Sequence, residues 1–149
     1  MVIQLPMEKL MKEAAHVIAT RIAGLKENFN VLVICGLHNK TLAEHIMLES
    51  YAVRAHPYLW AFDERFFLKY GKALSPDAIT ILPGHLCSLL ENSNVIIWLS
   101  QFDDFEKLPA AVKKAIISFW DNVYEAMKAK PRLFVNLLSS GCIESMGIN

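Results

Sequence analysis

The sequence has no excess of charge of either sign: 15 Lys and Arg balance 15 Asp and Glu over 149 residues. A nucleic-acid binder needs surplus cations to neutralise phosphates, so that class is disfavoured. Long apolar runs are missing too. The greasiest stretches, such as AITILPGHLCSLL, are broken by Pro, Gly and His. They fall short of the roughly 20 residues that a membrane helix needs. The opening MVIQLPMEK has no charged start leading into an apolar core, so it does not read as a secretory signal. Cysteine is scarce, with Cys35, Cys87 and Cys142 widely spaced and no C-x-x-C pair. These three read as reduced, mostly buried thiols of a cytoplasmic protein. Repeats, linkers and low-complexity segments are also lacking.

What is present is apolar surface. The chain is 54% hydrophobic and 20% charged, which excludes a disordered polymer. It predicts a face that another surface covers. The length suits one domain, residues 1–149, with one core.

Periodicity gives the elements. Residues 7–26 carry Leu10, Ala14, Val17, Ile18, Ile22 and Leu25 on one helical face. VLVIC (31–35) is too continuously apolar for a half-exposed strand and predicts a central parallel strand covered on both sides. TLAE (41–44) is a capping-box pattern, predicting a helix from Thr41 to about Val53. PYLWAF (57–62) is the next strand, with proline tolerated at its first position. Residues 63–92 read as helical in two pieces. Ser75 and Pro76 form a start signal there, and Pro83 and Gly84 an interruption. NVIIWLSQF (94–102) is the third strand. Pro109 opens a long helix striped by Val112, Ile116, Trp120, Val123 and Met127. RLFVNLL (132–138) is the fourth strand, and SSGCIESMGIN a turn and a short closing helix.

Strands alternating with helices imply crossovers and a parallel sheet. The expected fold is α/β: a three-layer α/β/α sandwich on a mainly parallel four-stranded sheet of flavodoxin-like order 2-1-3-4.

In such a fold the crevice opens where neighbouring connections leave in opposite directions, here between the ends of strands one and three. Gly36, Leu37, His38 and Asn39 would face Ser100, Gln101 and Phe102, so Gly36, His38, Asn39, Ser100 and Gln101 are the candidate ligand-binding residues. GLHNKT resembles part of a phosphate loop, but Asn39 stands where G-x-x-x-x-G-K-[ST] has its second glycine. No G-x-G-x-x-G accompanies it. The plainer account is a strand-to-helix turn.

His45 and Glu49 lie four apart on one helix face, a legal metal-ligand spacing, with His38 in the loop before. Spacing supplies no third ligand and no H-E-x-x-H, so no metal site is assigned. His56 and His85 sit beside Pro57 and Gly84 as turn histidines. The pairs Asp63, Glu64 and Asp103, Asp104 read as charges at helix heads serving the dipole. The run Ser139, Ser140, Gly141, Cys142 does not match the nucleophile elbow G-x-S-x-G, so no catalytic residue is assigned.

Taken in order, four segments resemble the N-terminal domain of the thermophilic metal-dependent leucyl aminopeptidases, of the aminopeptidase T and aminopeptidase S type. They are HVIATRIAGLKENFNVLVICG, LESYAVRAHPYLWAF, LLENSNVIIWLSQF and PRLFVNLLSSGCIESMGIN. His56 replaces the family's usual glycine before Pro57, and a proline-threonine pair is missing after the fourth strand. The resemblance implies a domain that supports and partly covers a catalytic half carrying two metal ions. On this resemblance, that half is expected to lie outside residues 1–149. It implies no cofactor in this chain, and a divalent metal only where the catalytic domain is present.

Three functions follow as expectations. The first is a non-catalytic scaffold domain that pairs with a missing C-terminal domain or with itself as a homo-oligomer. The second is a small α/β ligand-binding domain or enzyme using the crevice. The third is a purely structural oligomerisation module.

Overall fold

The computed structural model describes residues 4–128 and 133–137. Four strands form one sheet: β1 (Asn30–Gly36), β2 (His56–Phe62), β3 (Val95–Leu99) and β4 (Leu133–Leu137). Their order is β2-β1-β3-β4 and every neighbouring pair is parallel. Helix α1 (Gln4–Val17) precedes β1, and helices fill the connections: α2 (Lys40–Ala52), α3 (Glu64–Tyr70), α4 (Pro76–Ile79), α5 (Gly84–Glu91) and α6 (Ala110–Lys128). The three-layer α/β sandwich and its order 2-1-3-4 are therefore as the alternation of apolar runs predicts.

The central strands explain their own composition. In β1 the odd-numbered Val31, Val33 and Cys35 join α1 and α2 in one buried cluster, while Leu32 and Ile34 join α5 and α6 in another. β3 divides the same way, Val95, Ile97 and Leu99 to one side and Ile96 and Trp98 to the other. A strand covered on both faces has no polar side, hence the unbroken apolar run. The α6 stripe is buried as the spacing requires: Val112, Ile116, Trp120, Val123 and Met127 all sit in the second cluster.

Boundaries and one register differ from the sequence expectation. The first helix gives way at Val17 to a π turn over Ile18–Ile22, closed by Ala23 N donating to Ile18 O at 2.7 Å. A π turn accommodates one extra residue, so the inward face shifts. Ala19 and Ala23 become buried, and Ile22, expected inside, is 38% exposed. β3 ends at Leu99 rather than at 102, because Ser100 Oγ turns to the Phe102 carbonyl at 3.2 Å and the chain leaves the ladder. Segment 63–92 holds three helices rather than two pieces, with the break before α5 at Pro83. His56 is the first residue of β2, not a turn residue, and His85 lies in α5. The closing turn and helix expected after β4, with Cys142, fall outside the described residues.

Among the described residues, no helix is long and apolar enough to cross a membrane.

Candidate functional site

The strand ends converge at the carboxyl edge of the sheet, between β1 and β3. Gly36 closes β1 and leads into a 3-10 turn, Leu37–Asn39, ahead of α2. The helix starts at Lys40, one residue before the expected Thr41 cap, and Asn39 occupies the cap position. Asn39 turns its side chain away from the helix end toward the strands. Its Oδ1 accepts from Gly36 N at 3.0 Å and its Nδ2 donates to Ser100 O at 2.7 Å. Gly36 N also reaches Ser100 O at 3.0 Å. One amide side chain thus ties the β1 exit to the β3 exit, and this tie fixes the mouth of the crevice.

Gly36 is required by close approach. A Cβ there would collide with the Gln101 carbonyl and lie 2.7 Å from His38 Nδ1. Of the five sequence candidates, His38 and the buried Gln101 line a cavity of about 250 Å³. Gly36, Asn39 and Ser100 are not among its lining residues; they hold the β1 and β3 exits together through the hydrogen bonds just described.

The other walls come from residues that the sequence assigned a lesser part. Asp63 caps α3, with Oδ1 accepting from Arg65 N at 3.1 Å. Its neighbour Glu64 does something else. It is only 8% exposed, and its Oε1 accepts from both Asp103 N and Asp104 N at 2.7 Å. Glu64 therefore pins the loop after β3 to the start of α3. Its Oε2 is buried and has no hydrogen-bond partner among the described residues. Asp63, Glu64, Arg65, Asp103 and Asp104 all line the cavity with His38 and Gln101.

The electrostatic balance of the cavity is negative. Arg65 Nε lies 3.4 Å from Asp63 Oδ1, and Lys107 Nζ lies 3.2 Å from Asp104 Oδ1. No ion pair among the described residues involves Glu64 or Asp103. Just behind the crevice, burial pushes the Cys35 thiol up from 9.0 to about 11, with the Lys40 charge opposing and the Glu44 charge adding. The thiol thus stays protonated at neutral pH and is a poor nucleophile.

The metal-ligand spacing on α2 resolves differently. Glu49 Oε1 sits 2.7 Å from His16 Nδ1 of α1, so it links two helices. His45 lies instead in a shallow apolar groove on the outer face of α2, with Met47, Leu48 and Tyr51. No group of three potential metal ligands is present among the described residues.

No family model matches the chain, and no curated protein matches it by sequence. A likeness appears among solved structures. Wild-type AmpT from Thermus thermophilus superposes with a TM-score of 0.69 at 12% identity, over 89% of this chain and 36% of that one. AmpT is a thermophilic aminopeptidase, and the relation is a distant structural one. The chain spans about a third of the AmpT chain, and at this identity the likeness establishes the shared fold.

Proposed function

We propose that the chain is a non-catalytic scaffold and interaction domain, related to the N-terminal domain of a metal-dependent leucyl aminopeptidase. The observation that carries the reading is the superposition on AmpT, which takes in 89% of this chain and only 36% of the larger one. A domain of that kind works by presenting a surface, and α2 offers one. Ile46 and Ala43 face the core, while Leu48 and Tyr51 stand 64% and 61% exposed on the opposite side. Large apolar side chains grouped around a shallow groove favour a covering partner. The partner that the purified chain can supply is a second copy of itself; a catalytic domain of the aminopeptidase type is the partner that a monomeric chain would leave.

Sedimentation of the purified chain, together with a leucine p-nitroanilide assay in added zinc or cobalt, tests the reading. The expected result is hydrolysis no faster than the metal blank, and association that the double variant Leu48→Glu, Tyr51→Glu abolishes without lowering the melting temperature. Stoichiometric, tightly held zinc or cobalt, or metal-dependent peptidase turnover by this chain alone, would overturn it.

A further inference from the structure

We propose that the crevice between β1 and β3 binds a small organic cation through a primary ammonium group, with Glu64 as its principal acceptor. This inference stands apart from the scaffold reading, since the residues that line the crevice are none of those in the α2 groove.

Glu64 carries the argument. A carboxylate that is 8% exposed has surrendered most of its hydration, and such groups persist in proteins when both oxygens are partnered. Here one oxygen is held by two backbone amides at 2.7 Å each, which fixes the orientation of the whole group. The other oxygen is buried without a partner, in a residue that lines the cavity. An N–H donor is what that atom lacks.

The surrounding charges select the sign of the donor. Arg65 is taken by Asp63 and Lys107 by Asp104, which leaves Glu64 and Asp103 facing the same space uncompensated. A cation is attracted and an anion is repelled. A divalent metal ion is a poorer match, because it wants several ligating side chains and no group of three is present among the described residues. An alkylammonium needs only one strong acceptor and neighbouring negative charge. The cavity measures about 250 Å³, a little under the roughly 300–1,000 Å³ of ordinary small-molecule pockets. That size suits a head group with a short alkyl arm. Leu37 supplies an apolar contact for the arm, and Gln101 is a further lining residue.

The test is a titration of the full ¹⁵N-labelled chain with n-butylammonium chloride. Sodium chloride at equal ionic strength and n-butanol serve as controls. The expected result is a saturable shift of the Asp103 and Asp104 amide resonances with butylammonium and with neither control. Glu64→Gln keeps an oxygen for the two amides but removes the charge, and it should weaken binding about tenfold or more, the difference between a charged and a neutral acceptor. Asp103→Asn, at an exposed position, should weaken it severalfold and settles the matter should Glu64→Gln fail to fold. Shifts that never saturate, shifts reproduced by sodium chloride, or unchanged affinity in a folded Glu64→Gln or in Asp103→Asn would each overturn the proposal. In those cases Glu64 serves only to tie the loop after β3 to α3.

Discussion

A methyl group at position 36 has nowhere to go. The Gln101 carbonyl and the His38 ring occupy the space that a side chain would need. Gly36→Ala is therefore expected to destabilise the fold by about 1–3 kcal/mol through overpacking. Chemical denaturation would measure the loss, and an unchanged midpoint would show that the β3 exit can retreat. Cys35, next door, makes a prediction about pH. Its thiol titrates near 11 in the folded state against 9.0 unfolded, chiefly because it is buried. Between those values the unfolded chain has lost the proton while the folded chain still holds it, so stability falls as pH rises from about 9 to about 11. Denaturation at pH 8 and at pH 10.5 should show that fall, and Cys35→Ala should lessen it. Equal pH dependence in the variant would dismiss Cys35 as the cause.

At the scale of elements, α2 shows two faces with opposite costs. Ile46 is fully buried, so Ile46→Ala should cost about 2–5 kcal/mol, whereas Leu48→Ala on the outer face should cost under about 0.5 kcal/mol. Just past the C-terminus of the same helix, Arg54 is held at φ 62° with its N–H donating to Tyr51 O at 3.0 Å. That is the left-handed position that glycine favours after a helix, and Arg54→Gly should raise stability by about 1 kcal/mol. A lowered thermal midpoint would mean that the weak pair between Arg54 and Glu27, 3.8 Å apart, contributes more than its exposure suggests.

These elements also show where the sequence speaks and where it falls silent. Residues 31–35 and 95–99 announce buried parallel strands because nothing polar interrupts them, and the spacing of four, four, three and four from Val112 to Met127 announces the inner stripe of α6. The π turn is hidden, because Ile22 continues a plausible helical spacing and only the backbone reveals the extra residue. Thr41 and Glu44 spell a capping box, yet the 3-10 turn before them brings the helix start forward to Lys40. The crevice was legible as a place, since strand order locates it, and His38 and Gln101 do line it. Glu64 was not legible. Its neighbour Asp63 performs the helix-head task that adjacent carboxylates usually share. The partners of Glu64 lie 39 and 40 residues downstream, at a separation no local pattern encodes.

Over the whole molecule the two helical layers are built from different materials. The α1–α2 side packs alanines, valines and isoleucines against the sheet, with Ala14, Ala15, Ala19, Ala23 and Ala43 allowing close approach. The other side is aromatic. The Trp120 ring lies 5.0 Å from that of Trp60 and 5.1 Å from that of Trp98 by centroid, both pairs tilted, and Phe62, Phe67 and Phe119 pack in the same cluster. All three tryptophans of the chain pack on that second side of the sheet, Trp60 and Trp98 from the strands and Trp120 from α6. The intrinsic fluorescence is therefore a one-sided reporter: it sees α3 to α6 peel from the sheet and is blind to α1 and α2. Far-UV circular dichroism weighs both sides. Because both layers clamp the same two central strands, heating monitored by the two signals should give a single shared midpoint. Emission that changes at a different temperature from ellipticity would mean that each coat of helices can be shed by itself.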